Sequence, residues 1–129
     1  MSTHDSSASR PEVDPPEGPA PTELVITDIT VGDGDEATPG ATVTTHYVGV
    51  THSTGEQFDA SWDRGEPLSF RVGVGQVIKG WDDGLLGMRV GGRRRLEIPS
   101  HLAYGKRGAG GVIGPDEALV FVVDLVGVR

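Results

Sequence analysis

The chain has 129 residues, a net charge of −8 and no cysteine. That length predicts one folded domain, and the acidic balance argues against a nucleic-acid or anionic-membrane partner, because phosphate binding needs a dense cationic surface. The missing thiols exclude a disulfide framework and a thiolate metal site.

No apolar run approaches the roughly 20 residues that cross a bilayer, so no membrane span is expected. The N-terminal stretch has no apolar h-region of a Sec signal, and the expected address is the cytoplasm. Residues 1–21 predict a disordered, acidic Pro/Ser-rich tail. Pro11, Pro15, Pro16, Pro19 and Pro21 punctuate it, and it offers little apolar surface to offset ordering entropy. Residues 22–129 are the predicted domain.

Leu24 to Val31 is β-branched and partly alternating, which predicts a strand. Ala41 to His52 alternates clearly. Val43, Thr45, Tyr47 and Gly49 face one way, and Thr42, Thr44, His46 and Val48 the other. Thr54-Gly55-Glu56 predicts a turn, and Gln57-Phe58-Asp59 resumes extended chain. Leu68, Phe70 and Val72 alternate again. Gln76 to Gly87 is the one predicted helix. Arg93 to Ile98 predicts a strand with Arg94, Leu96 and Ile98 on one face, and Ala118 to Val128 an apolar closing strand. One short helix among five or six strands is an α+β domain with an antiparallel sheet wrapped on that helix.

Several motifs carry little chemistry. Gly73, Gly75 and Gly80 are spaced G-x-G-x-x-x-x-G, which is not the dinucleotide fingerprint, and they are expected to turn strand into helix. The four histidines are scattered, so no metal site is predicted. No G-x-S-x-G elbow and no cysteine nucleophile is present. The run Arg93-Arg94-Arg95 is split between two faces by alternation. It is expected to be solvated and to pair with nearby carboxylates. Two Trp, two Tyr and three Phe are spread over most elements. Their spacing alone fits a plain core as well as a pocket.

The order of motifs resembles the FKBP-type peptidyl-prolyl cis-trans isomerases over about Thr22 to Arg129. The resemblance rests on Val43-Thr-Thr-His-Tyr47-Val-Gly49, Gly55-Glu-Gln-Phe58-Asp59-Ala-Ser, Val77-Ile78-Lys-Gly80-Trp81-Asp-Asp-Gly84, Gly91-Gly-Arg-Arg-Arg-Leu96-Glu-Ile98-Pro99, Leu102-Ala-Tyr104-Gly105 and Leu119-Val-Phe121. It is similar in wording to bacterial single-domain members. It implies an antiparallel five- to six-stranded half-barrel around one short helix, acting on proline-containing polypeptides without cofactor or metal, as a monomer that assists folding. Macrolides such as tacrolimus and rapamycin are implied inhibitors.

Carried over, the family's catalytic set falls on Tyr47, Phe58, Asp59 and Tyr104. Its substrate-binding set falls on Arg64, Leu68, Phe70, Val77, Ile78, Trp81, Val112, Ile113 and Phe121. The resemblance makes Trp81 the floor beneath the proline ring, with Tyr47, Phe58, Phe70 and Phe121 as walls. The Ile78 amide and the Tyr104 hydroxyl would hold substrate carbonyls. Arg64 would pair with Asp59 or Tyr47, and Ala103 to Gly114 would be a mobile flap. The sequence departs from the family at Leu68, where many members carry an aromatic ring. It departs again at Leu102, in place of a second flap tyrosine, and at Gly114, where proline is frequent.

Overall fold

A computed structural model describes residues 9–129. Six strands build one antiparallel sheet: β1 (Val25–Thr30), β2 (Thr42–Thr51), β3 (Gln57–Ala60), β4 (Leu68–Arg71), β5 (Arg93–Ile98) and β6 (Leu119–Val128). Their order is β1-β5-β6-β2-β3, with β4 also on β2. The sheet stays open, as expected of a half-barrel.

β2 organises the site. Its first half pairs with β4 (Thr42↔Arg71 to Thr45↔Leu68) and its second half with β3 (Val48↔Ala60 to Val50↔Gln57). Between those two ladders the Tyr47 N–H would lose a strand partner. It donates instead to Ser61 Oγ at 2.7 Å, and Ser61 is fully buried. A buried amide must find an acceptor, and this one draws the single turn α1 (Ser61–Arg64) against Tyr47.

α2 (Lys79–Gly84) crosses the concave face. Gly80 and Gly84, four residues apart on one face, let it lie close to β5. A Cβ on Gly80 would stand 2.5 Å from Ile98 Cγ2, and one on Gly84 2.8 Å from Leu96 Cδ2. Arg94 then closes the helix C-terminus by donating to Gly84 O at 2.8 Å and Leu86 O at 3.1 Å. Orphan carbonyls there need donors, and a cation suits the negative end of the dipole. Trp81 and Leu85 on the helix meet Leu96, Ile98, Leu119 and Val123 of the sheet in one core.

The helix is shorter than predicted. Gln76 to Ile78 stay outside it, because Gly75 has φ +83° and Ile78 an extended ψ of 151°, and so do Leu85 to Gly87, where Gly87 has φ +85°. The turn α1 has no predicted counterpart, since four residues show no amphipathic period.

The arginine run also differs from expectation. Each guanidinium faces a carboxylate, but none is freely solvated. Arg93 donates to both oxygens of Asp124 at 2.6 and 2.8 Å, with side chains only 14% and 3% exposed. Burial raises the Asp124 carboxyl above its usual range even with Arg93 against it. The β5–β6 register sets Arg93 across from Asp124, and the N-terminal segment brings the Ser9 and Asp14 carbonyls to Arg93 and Arg95.

The predicted disorder of residues 1–8 lies outside the described residues. Residues 9–21 hold no helix or strand, yet 9–16 rest against the domain. Pro11 is buried. Arg10 donates to Asp63 Oδ1 at 3.2 Å and to Gln57, Arg93 donates to the Ser9 carbonyl, and Arg95 to the Asp14 carbonyl at 3.3 Å. Composition sees none of these partners, because they lie far along the chain.

Candidate active site

A cavity of about 420 Å³ opens between α2, the sheet and the segment after β5. It is bounded by Tyr47, Phe58, Asp59, Leu68, Val77, Ile78, Trp81, Tyr104 and Phe121, nine of the residues singled out from the sequence, together with Gly75 and Gln76. Trp81 forms its base and is 3% exposed. Tyr47 and Phe121 stand edge-on to the indole, at 5.0 and 5.2 Å and 85° each. Phe58 stands edge-on to Phe121 at 5.5 Å and 87°. Such edge-to-face rings favour each other beyond the area they bury. The result is a fixed aromatic box.

Four residues singled out from the sequence do not line it: Arg64, which stands behind the rim, and Phe70, Val112 and Ile113. Phe70 is buried on the far side of the box, 5.7 Å from Trp81. It supports the floor and is not a wall. Ile113 is a core residue at 5% exposure. Val112 is 63% exposed and faces a neighbouring groove.

Arg64 joins two polar groups at the rim, where the sequence left either one open. Its Nη1 donates to Asp59 Oδ1 at 2.5 Å and its Nη2 to the Tyr47 hydroxyl at 2.8 Å. That hydroxyl donates to Asp59 Oδ2 at 2.6 Å. The three side chains form a closed triangle. Burial first, and then the bond to Asp59, raise the Tyr47 phenol above its ordinary value of 10.0. Burial and the Asp59 charge likewise raise Tyr104. Both hydroxyls are therefore protonated at neutral pH.

Two donors at the cavity are unspent. The Ile78 N–H has no partner among the described residues, and neither has the Tyr104 hydroxyl. Ile78 is the N-cap of α2, and its carbonyl accepts from Trp81 N–H at 2.9 Å and Asp82 N–H at 3.1 Å. The helix that delivers the floor thus also sets the amide at the rim.

Sequence reasoning missed Gly75, Gln76 and Asp82. Asp82 is 8% exposed. Its Oδ1 accepts from Gly73 N–H and its Oδ2 from Gly75 N–H, both at 2.8 Å. It ties the loop that enters the cavity to the helix that carries Trp81. The available signal was a carboxylate one residue after the indole, following two turn glycines.

The segment 103–114 holds a 3₁₀ turn (Gly105–Arg107) and then a tight bridged hairpin at 109–113. Ala109 and Ile113 exchange two bonds at 2.8 and 3.0 Å, and Asp116 N–H donates to Gly105 O at 2.9 Å. It holds Tyr104, 40% exposed, at the cavity mouth.

Among the described residues no group of three or more His, Cys, Asp or Glu side chains is placed to hold a metal ion. The cavity offers apolar rings, two free donors and a fixed carboxylate. It holds no nucleophile beside a base.

A family model described as "FKBP-type peptidyl-prolyl cis-trans isomerase" matches residues 34–126. An FK506-binding protein of Streptomyces anulatus is 63% identical over 123 residues, covering 95% of this chain and 99% of the relative. The peptidyl-prolyl cis-trans isomerase FPR2 of Saccharomyces cerevisiae is 54% identical over 94 residues, covering 73% and 70%. The crystal structure of AtFKBP13 superposes with a TM-score of 0.77 at 44% identity, covering 85% of this chain and 96% of that one.

Proposed function

The chain belongs to the FKBP-type peptidyl-prolyl cis-trans isomerases and is an enzyme of that activity, and from that premise we propose how its own residues act. The aromatic box over Trp81 receives the proline ring, and this one feature carries the reading.

An Xaa-Pro bond rotates over a barrier of about 18–20 kcal/mol, because amide resonance is lost at the midpoint. Uncatalysed exchange takes on the order of 10–100 s. No bond breaks, so neither nucleophile nor cofactor is needed. The catalyst has only to bind the twisted amide better than the planar one. Each tenfold gain in rate needs about 1.4 kcal/mol of that difference.

The planar amide carries charge separation between nitrogen and oxygen, and the twisted one has lost much of it. A dry apolar cavity therefore favours the twisted form. Tyr47, Phe58 and Phe121 confine the ring above Trp81, and Leu68 and Val77 complete the wall. The Ile78 amide and the Tyr104 hydroxyl hold flanking carbonyls. Asp59, held by Arg64 and Tyr47, acts by its charge and not as a general base. Val112 and Ile113 act from the hairpin beside the cavity, and Phe70 from behind the floor.

We place the enzyme in the cytoplasm as a monomer that assists protein folding. We also assign the same cavity to macrolides of the tacrolimus and rapamycin type, in line with relatives named as FK506-binding proteins. The smaller Leu68 wall weakens that affinity more than it weakens turnover.

The test is a protease-coupled assay on Xaa-Pro peptides, with and without rapamycin. Asp59→Val, Phe58→Ala and Tyr104→Phe should each lower kcat/KM. Unchanged activity in all three would falsify the assignment of these residues.

A further inference from the structure

A second hollow of about 360 Å³ adjoins the aromatic cavity. The Phe58 ring is common to both. Its remaining walls come from the β2–β3 hairpin, including Ser53 and Glu56, from Val112 on the 109–113 hairpin, and from Glu117. A polypeptide seated with its proline over Trp81 has to leave the box across some such surface.

The hollow has two characters. Phe58 and the 63% exposed Val112 give it an apolar lip. Glu56 and Glu117 give it negative charge, no Lys, Arg or His lines it, and neither carboxylate is ion-paired among the described residues. The Glu117 carboxylate is held in place. Oε2 accepts from Ser53 N–H at 3.1 Å and Oε1 from Ser53 Oγ at 2.8 Å. Each carboxylate oxygen can accept a further bond. A long cationic side chain matches this pattern, with its aliphatic stem on the lip and its charged head at the carboxylates.

We propose that this hollow is a subsite for a Lys or Arg side chain flanking the prolyl bond, with Glu117 and Glu56 as its specificity-determining residues. The proposal rests on the aromatic box being the prolyl site. Because one ring separates the hollows, and extended chain advances about 3.3–3.6 Å per residue, the cationic residue stands about two to four positions from the proline. Exposed ion pairs are weak, so the preference is modest, about two- to fivefold in kcat/KM. It should fade with added salt.

The test compares kcat/KM for Xaa-Pro peptides of one length bearing Lys, Gln or Glu at each of those positions, on either side of the proline. The Lys/Gln ratio is self-normalising, so partial loss of folding cancels. Wild type should prefer Lys over Gln on one side of the proline, with Glu disfavoured there. The double variant Glu56→Gln with Glu117→Gln should bring that ratio to about one. Glu56→Lys, whose side chain makes no hydrogen bond, should reverse the preference toward Glu. Asp33→Asn removes the same charge outside the hollow and should leave the ratio intact. Equal turnover of all peptides by wild type overturns the subsite alone. So does a preference that survives the double variant or disappears in Asp33→Asn. No turnover of any peptide overturns the prolyl-site reading beneath it.

Discussion

Replacing Asp82 by alanine tests whether the cavity rim is held by a residue that never touches substrate. The wild-type carboxylate accepts two backbone N–H bonds at 2.8 Å, from Gly73 and Gly75. Hydrogen bonds to a charged group contribute about 1.5–3 kcal/mol each when buried. Both glycines are exposed, so water takes up the freed amides and the lower end applies. The expected loss of stability for the two bonds is about 3 kcal/mol, or about 9–12 °C in Tm. Gly75, Gln76, Val77 and Ile78 line the cavity and follow directly from this loop. Its release should therefore raise KM and lower kcat/KM about tenfold, equivalent to about 1.4 kcal/mol. Asp82→Asn keeps one acceptor but turns an NH₂ group toward the other amide, so it should fall between. The assay is run well below either Tm, so that only folded enzyme is compared. Asp82→Ala with wild-type kcat/KM and KM would show that other contacts hold the rim.

The remaining predictions read other parts of the fold. The chain has two tyrosines, both at the cavity, so phenolate absorbance reports that site alone. Their folded pKa values are raised, hence the stability they contribute is complete below pH 10 and is lost as pH rises through the folded values. Native ionisation should lie above that of denatured protein, and native ionisation at or below pH 10 would contradict it. Deleting residues 1–16 exposes what Pro11 covers and removes the Arg10 and Arg95 contacts. It should cost about 1–2 kcal/mol, read as a Tm lower by about 3–8 °C. Gly49→Ala would place a Cβ 2.6 Å from Phe121 and 2.8 Å from Phe58. It should displace two walls of the box and cut kcat/KM more than tenfold, while Tm falls only by the few degrees that local overpacking costs.

Much of this fold was legible locally. β2 is the clearest case, because Val43, Thr45 and Tyr47 alternate in sequence and all three are buried. β6 reads as a mainly apolar run because Leu119 to Leu125 are buried on both faces. What escaped was set by distant partners. Gln76 to Ile78 carry helix-compatible residues, yet they stay outside the helix because Asp82 fixes the glycine turn before them. The run at Arg93 looks like surface, but the β5–β6 register sets Asp124 directly across from it, and the N-terminal segment lies over it. Residues 9–16 carry little apolar surface, and only contacts such as Arg10 with Asp63, 53 positions away, account for their placement. The site itself was legible mainly as an order of motifs. Periodicity alone could not tell Phe70, which supports the floor, from Phe58, which lines the wall.

The triangle of Tyr47, Asp59 and Arg64 bears on how the proposed mechanism divides its labour. Tyr47 has one proton, and it is already given to Asp59. Each oxygen of Asp59 already accepts a bond. A substrate carbonyl can gain a hydrogen bond from Tyr47 only by breaking the triangle, and Asp59 has no proton to give. The unspent donors among the lining residues include the Ile78 N–H and the Tyr104 hydroxyl. Asp59 then contributes through its fixed negative charge, which repels the electron-rich carbonyl oxygen of a planar amide more than that of a twisted one. Shape and charge are thereby separable. Asp59→Asn keeps the shape and removes the charge, so on this reading it lowers kcat while leaving KM nearly unchanged. Loss confined to KM would instead assign Asp59 to ground-state binding alone.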